Sequence, residues 1–167
     1  MGLSERVKEQ IGALQDNLGI IRKLAGWTVE ELGDRIGVTK QTISNLENRK
    51  TEMSLPQYIA IRSAIQYEIE TNPENEVLAY AVALLLDKRE EMAVEEYEQV
   101  RHAFHTTAAA ASGGLAGAAL FALLTTLLGP FRGAGLVAGV VGGVGGWLYN
   151  LYAYKGKRDR KKRKEDR

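Results

Sequence analysis

Cysteine is absent from the 167-residue chain, which removes disulfides, thiolate metal sites and cysteine nucleophiles together and suits a reducing cytoplasm. An apolar run is missing from Met1 to Gln10, so no signal peptide is expected and the N-terminus should stay in the cytoplasm. There is no Walker loop, no nucleophile elbow and no metal-hydrolase motif. Acidic pairs such as Glu30–Glu31 and Glu90–Glu91 are adjacent in sequence and point to different sides of a helix, which excludes a carboxylate dyad. No enzyme, catalytic residue, cofactor or metal site is expected. A large charge of one sign is also lacking, since the net charge is only +1, but this balance hides a strong segregation. Residues 155–167 carry nine Lys or Arg against three acids, residues 71–105 carry three against eight, and residues 106–154 carry only Arg132.

The stretch Thr28 to Leu46, TVEELGDRIGVTKQTISNL, has the pattern of two short helices meeting at a sharp turn. Thr28 can cap the first, whose apolar stripe is Val29, Leu32 and Ile36. Gly37 permits the turn and Val38 fills the corner. Thr39 can cap the second helix, in which Ile43 and Leu46 face inward at a spacing of three. Its outward face is Lys40, Gln41, Ser44 and Asn45, side chains of the length and chemistry that meet base edges and phosphates in a major groove. Gln41 can bond adenine N6 and N7, and Lys40 can reach guanine or phosphate. Double-stranded DNA is therefore the expected partner.

Around this core, residues 1–70 are predicted to form a small all-helical bundle. Val7, Ile11, Leu14, Leu18 and Ile21 alternate spacings of four and three along one helix face. Gly12 and Gly19 weaken that helix, so a break or change of partner is expected near one of them. Gly26 should end it. Ser54, with Pro56 in the first turn, should open a further helix. A second segment, 71–105, is read as a helical acidic linker. Thr71 and Glu74 have capping-box spacing, and Asn72 before Pro73 is an alternative cap. Val77 to Leu86, too short to span a bilayer, is a packing helix. Residues 87–105 are expected as a solvated linker helix.

The third segment, 106–154, holds two apolar stretches of 24 and 22 residues separated by Pro130-Phe131-Arg132. As helices they would extend roughly 33–36 Å, against a bilayer core of about 30 Å. Glycines recur every fourth position at Gly113 and Gly117, at Gly135, Gly139 and Gly143, and at Gly142 and Gly146, a spacing that lets membrane helices approach closely. Trp147, Tyr149, Tyr152 and Tyr154 resemble an interfacial aromatic belt. The basic tail 155–167 follows directly, predicting a cytoplasmic C-terminus and affinity for the anionic headgroups of membrane lipids. The fold class expected is thus all-α: a helix–turn–helix bundle, linker helices, and a glycine-rich transmembrane hairpin with both chain ends in the cytoplasm. Seven glycines between Gly133 and Gly146 contribute little apolar area, so a hairpin that oligomerises in water is the competing expectation.

From about Leu18 to Ile69 the chain resembles the XRE/Cro-like, lambda-repressor-like DNA-binding domains. The resemblance rests on an Arg in the first helix, the T-x-E-E-L start, Gly37-Val38-Thr39, Gln41-Thr42-Ile43-Ser44 and Leu46-Glu47-Asn48. It implies a bundle of four or five helices. It also implies groove contacts from Lys40, Gln41, Ser44 and Asn45, with Thr42 beside them, and phosphate contacts from Thr39 and Asn48. Arg22 and Glu47 match a pair that acts as scaffold in several members. Two features depart from the family. Gly33 replaces a common alanine and is expected to loosen its helix, and residues 1–70 hold nine basic against ten acidic residues, so affinity for DNA in general should be modest.

The function expected is a sequence-specific transcriptional regulator tethered to the cell membrane, acting as a homodimer or higher oligomer because one such head makes few base contacts. The alternative is a membrane-active or structural assembly protein whose glycine-zipper hairpin oligomerises and whose head is an adaptor or autoregulator. His102 and His105, three apart, are read as interfacial or solvated histidines rather than metal ligands.

Overall fold

The computed structural model describes residues 4–110, and every regular element among them is helical. Helix α1 spans Glu5–Leu24, α2 Val29–Ile36, α3 Lys40–Glu47, α4 Leu55–Thr71, α5 Glu76–Val82 and α6 Val94–Ala110. A short π-helical turn, Ala83–Asp87, extends α5, and a single 3-10 turn, Arg89–Glu91, precedes α6. The apolar hairpin and basic tail expected from the sequence lie outside the described residues, except for 106–110, which form the last turn of α6. No helix among the described residues is long and apolar enough to cross a membrane.

Helix α1 is the central post. Leu14, Leu18 and Ile21 are fully enclosed, meeting one continuous core that includes Leu32 of α2, Ile43 and Leu46 of α3, Ile61 and Ile65 of α4, Leu78 and Val82 of α5, and Val100 and Phe104 of α6. The helix runs unbroken through Gly12 and Gly19, contrary to the break expected there. Burial on several sides outweighs the roughly 1 kcal/mol helical penalty of each glycine. It ends as expected at Gly26, whose φ of 75° allows a Schellman turn: Gly26 N–H donates to the Lys23 carbonyl and Trp27 N–H to that of Arg22.

Ser54 caps α4 through a capping box with Gln57, as its sequence suggests. The start of α5 differs from expectation. Thr71 still belongs to α4, and the cap is Asn75, whose Oδ1 accepts from Leu78 N–H at 3.3 Å while Nδ2 donates to the Leu24 carbonyl at 2.8 Å. A single asparagine thereby starts α5 and fastens it to the end of α1.

The larger correction concerns residues 87–105. A solvated linker helix was expected, but Tyr97, Val100, Ala103 and Phe104 are buried on the core, leaving the acids Glu95 and Glu98 outside. The dispersed apolar residues form one narrow stripe at spacings of three and four, which is sufficient to dock a helix despite its acidic composition. Polar bonds fix its register: Asn17 Nδ2 donates to the Tyr97 hydroxyl at 2.9 Å, and Arg101 Nε to Asn17 Oδ1 at 3.3 Å. Arg89 lies over the Tyr97 ring, 5.0 Å from its centroid. Phe104→Ala is therefore expected to cost about 3–5 kcal/mol in chemical denaturation and to lower the melting of α1 through α4 with it. A change below about 0.5 kcal/mol, as for an ordinary surface site, would mean that α6 does not belong to this core.

Candidate nucleic-acid interface

Helix α2 begins with a capping box in which Thr28 Oγ1 accepts from Glu31 N–H at 3.1 Å and Glu31 Oε2 accepts from Thr28 N–H at 2.7 Å. These bonds hold the exposed Glu31 carboxyl below the usual glutamate range. Trp27, buried beside the cap, carries the Arg35 guanidinium over its ring at 4.5 Å. The helix ends on Gly37 at φ 72°, with Val38 N–H donating to the Gly33 carbonyl at 2.9 Å.

Gly33 does not loosen this arrangement. A Cβ built there would stand 2.7 Å from the Val38 carbonyl oxygen, so the missing side chain is what lets the turn fold back on α2. A backbone atom in a closed turn cannot move aside cheaply.

Thr39 Oγ1 caps α3 by accepting from Thr42 N–H at 3.2 Å, and the two threonine hydroxyls bond each other at 2.9 Å. Ile43 and Leu46 anchor the inner face in the core. On the outer face, Lys40, Gln41 and Asn48 are exposed, and Thr42, Ser44 and Asn45 are half-buried. Gln41 Nε2 donates to Asn45 Oδ1 at 2.8 Å, joining two outer-face amides one turn apart. Asn48 turns back along the helix, donating to the Ser44 carbonyl at 2.8 Å. The seven residues singled out by sequence therefore lie on this one helix and its caps, with Thr39, Thr42 and Asn48 partly committed to holding its ends.

Three features aim α3. Arg22 of α1 grips Glu47 through Nε at 2.5 Å and Nη2 at 3.2 Å, while Nη1 donates to the Trp27 carbonyl at 2.6 Å. The scaffold role implied by the resemblance is the role seen. Gln15, which sequence reading passed over, is buried and clamps the chain leaving α3. Its Nε2 donates to the carbonyls of Leu46 (3.0 Å) and Thr51 (2.7 Å), and its Oε1 accepts from Met53 N–H at 2.9 Å. The available signal was a polar residue beside Leu14 on an otherwise apolar face. The third feature is Arg49, at φ 51° the one non-glycine with positive φ among the described residues. It occupies the position after the α3 cap where glycine is favoured, with Arg49 N–H donating to the Leu46 carbonyl and Lys50 N–H to that of Asn45. A left-handed residue with a Cβ costs about 1–2 kcal/mol. Its guanidinium pairs with Asp16 and lies 3.5 Å from the Gly12 carbonyl.

Residues 18–71 match a helix–turn–helix family model. Antitoxin HipB of Escherichia coli O6:H1 (strain CFT073) is 34% identical over 53 residues, covering 32% of this chain and 56% of that protein. The chain thus spans little more than half the length of that relative. No solved structure matches significantly. Residues 18–71 are thus similar to helix–turn–helix domains, in keeping with the α2–turn–α3 geometry.

The close approach at Gly33 makes two glycine substitutions diverge. Gly12→Ala, with nothing within 4 Å of the new Cβ, should raise stability by about 0.5–1 kcal/mol. Gly33→Ala should lower the melting temperature despite the same gain in helix propensity. Equal stabilisation by both, read by thermal denaturation, would show the α2–α3 turn to be looser than described.

Proposed function

We propose that this protein is a sequence-specific DNA-binding transcriptional regulator in which α3 enters the major groove. The observation that carries the reading is the outer face of α3, where Lys40, Gln41, Ser44 and Asn45 lie together on a helix held by Arg22, Gln15 and two buried aliphatic anchors. Amide side chains of this kind offer paired donors and acceptors to base edges, and the amides at the α3 N-terminus favour a nearby phosphate. Thr39, Thr42 and Asn48 contribute backbone contacts at the ends. A single head offers few base contacts, so two copies bind together on paired half-sites.

The finer reading is that residues 106–154 tether this head to the cell membrane as a hairpin, with both ends in the cytoplasm and the basic tail on anionic lipid. It is supported by the length of the two apolar stretches, their single charge and the basic flank. The second reading, a glycine-zipper assembly active in the membrane with the head as autoregulator, is favoured by the fourfold glycine spacing alone.

Gln41→Ala and Asn45→Ala should each abolish the gel shift of an operator selected from random duplexes while leaving carbonate-resistant membrane fractionation intact. Normal shifts by both variants would remove α3 from the interface. Extraction of the wild type by carbonate would remove the tether, and liposome leakage without DNA affinity would favour the second reading.

A further inference from the structure

We infer that Arg49 is a phosphate-binding residue of the α3 interface, held on Asp16 in the free protein and passed to a backbone phosphate when the helix enters the groove. The inference rests on the DNA-binding reading above and deepens it.

The first observation is that Arg49 stands where the backbone is left-handed and glycine would be unstrained. Its pair with Asp16 does not account for its presence. The two side chains are 53% and 37% exposed, and an ion pair so open to solvent contributes too little to offset that conformation. Residual strain of this kind points to a second use of the side chain.

The second observation concerns charge. Within residues 1–70, Arg22 is committed to Glu47, Arg62 to Asp87, Arg35 to the Trp27 ring and Lys8 to Glu5. Helix α3 itself has no basic residue in its last turn. Its eight residues make it about 12 Å long, close to the roughly 12 Å width of the major groove. With its first turn on the bases, its C-terminal end comes against a bordering phosphate strand. That end carries the negative pole of the helix and would be repelled unless a cation stood immediately beyond it. Arg49 and Lys50, both exposed, are the residues there. A guanidinium suits the task because its planar fork meets phosphate oxygens in pairs.

The exchange is between two weak partners of one cation. Asp16 keeps Arg49 beside the end of α3 and competes with phosphate for it, so its removal should strengthen binding.

The test is equilibrium binding of the full-length protein to mixed-sequence duplex DNA across a salt series, with thermal melts of each variant. Arg49→Gly should shrink the slope of log K against log salt by about 0.9 and weaken binding about fivefold to tenfold near 0.1 M salt. It should still fold, because glycine fits the turn. Arg49→Lys should retain most of the slope. Asp16→Asn should tighten binding about twofold to fivefold, the scale of an exposed ion pair released, and this arm remains decisive should Arg49→Gly fail to fold. An unchanged slope in Arg49→Gly, or weaker binding by Asp16→Asn, overturns the assignment while the DNA-binding reading stands. A wild type with no affinity for any duplex at low salt overturns both.

Discussion

The two-pronged pair between Arg22 and Glu47 lies almost out of solvent, with side chains 9% and 16% exposed, and the aim of α3 depends on it. A charge placed there is tolerable only while its partner and hydrogen bonds are present, since breaking a buried pair costs about 3–5 kcal/mol. The third arm of Arg22, on the Trp27 carbonyl, extends the grip to the turn before α2. One α1 side chain therefore fixes both helices of the helix–turn–helix. Gln15, seven residues earlier, does the same for the chain that leaves α3. Buried polar groups of this sort add little net stability but penalise every alternative packing in which they are left unpaired.

On another side of the same post, Asn17 binds Tyr97 and Arg101 of α6. Helix α1 thus carries polar clamps to α3 and to α6, with the aliphatic core filling the space between them. Because α6 continues without interruption to Ala110, it carries the head directly up to the start of the apolar stretch. Were residues 106–154 to tether the head, the segment leading to them would be a helix packed on the core rather than a solvated spacer.

The helix–turn–helix was legible because its signals are local: a Thr cap, a glycine turn, inward aliphatics three apart and polar residues outward. Arg22 and Glu47 were legible only through resemblance, since residues 25 apart carry no local sign of contact. Besides the cap of α5, three features differ from their sequence reading for identifiable reasons. Glycine in α1 suggests a break because helix propensity is a local quantity that does not register burial on several sides. Gly33 suggested looseness because its value lies in a contact across the turn, with the Val38 carbonyl. Segment 87–105 looked solvated because acids dominate its composition, although four apolar positions at helical spacing are enough to dock it. Asn17 and Asn75, which tie α6 and α5 to the post, gave no sequence signal, since each stands beside other polar residues, in Gln15-Asp16-Asn17 and Glu74-Asn75-Glu76. The hairpin and tail lie outside the described residues.

The central claim is that the outer face of α3 reads duplex DNA by sequence. Repeated selection of full-length protein against a random duplex pool at low ionic strength tests it most directly. The account predicts enrichment of one shared motif with two-fold related halves. A pool that remains random after several rounds would contradict it.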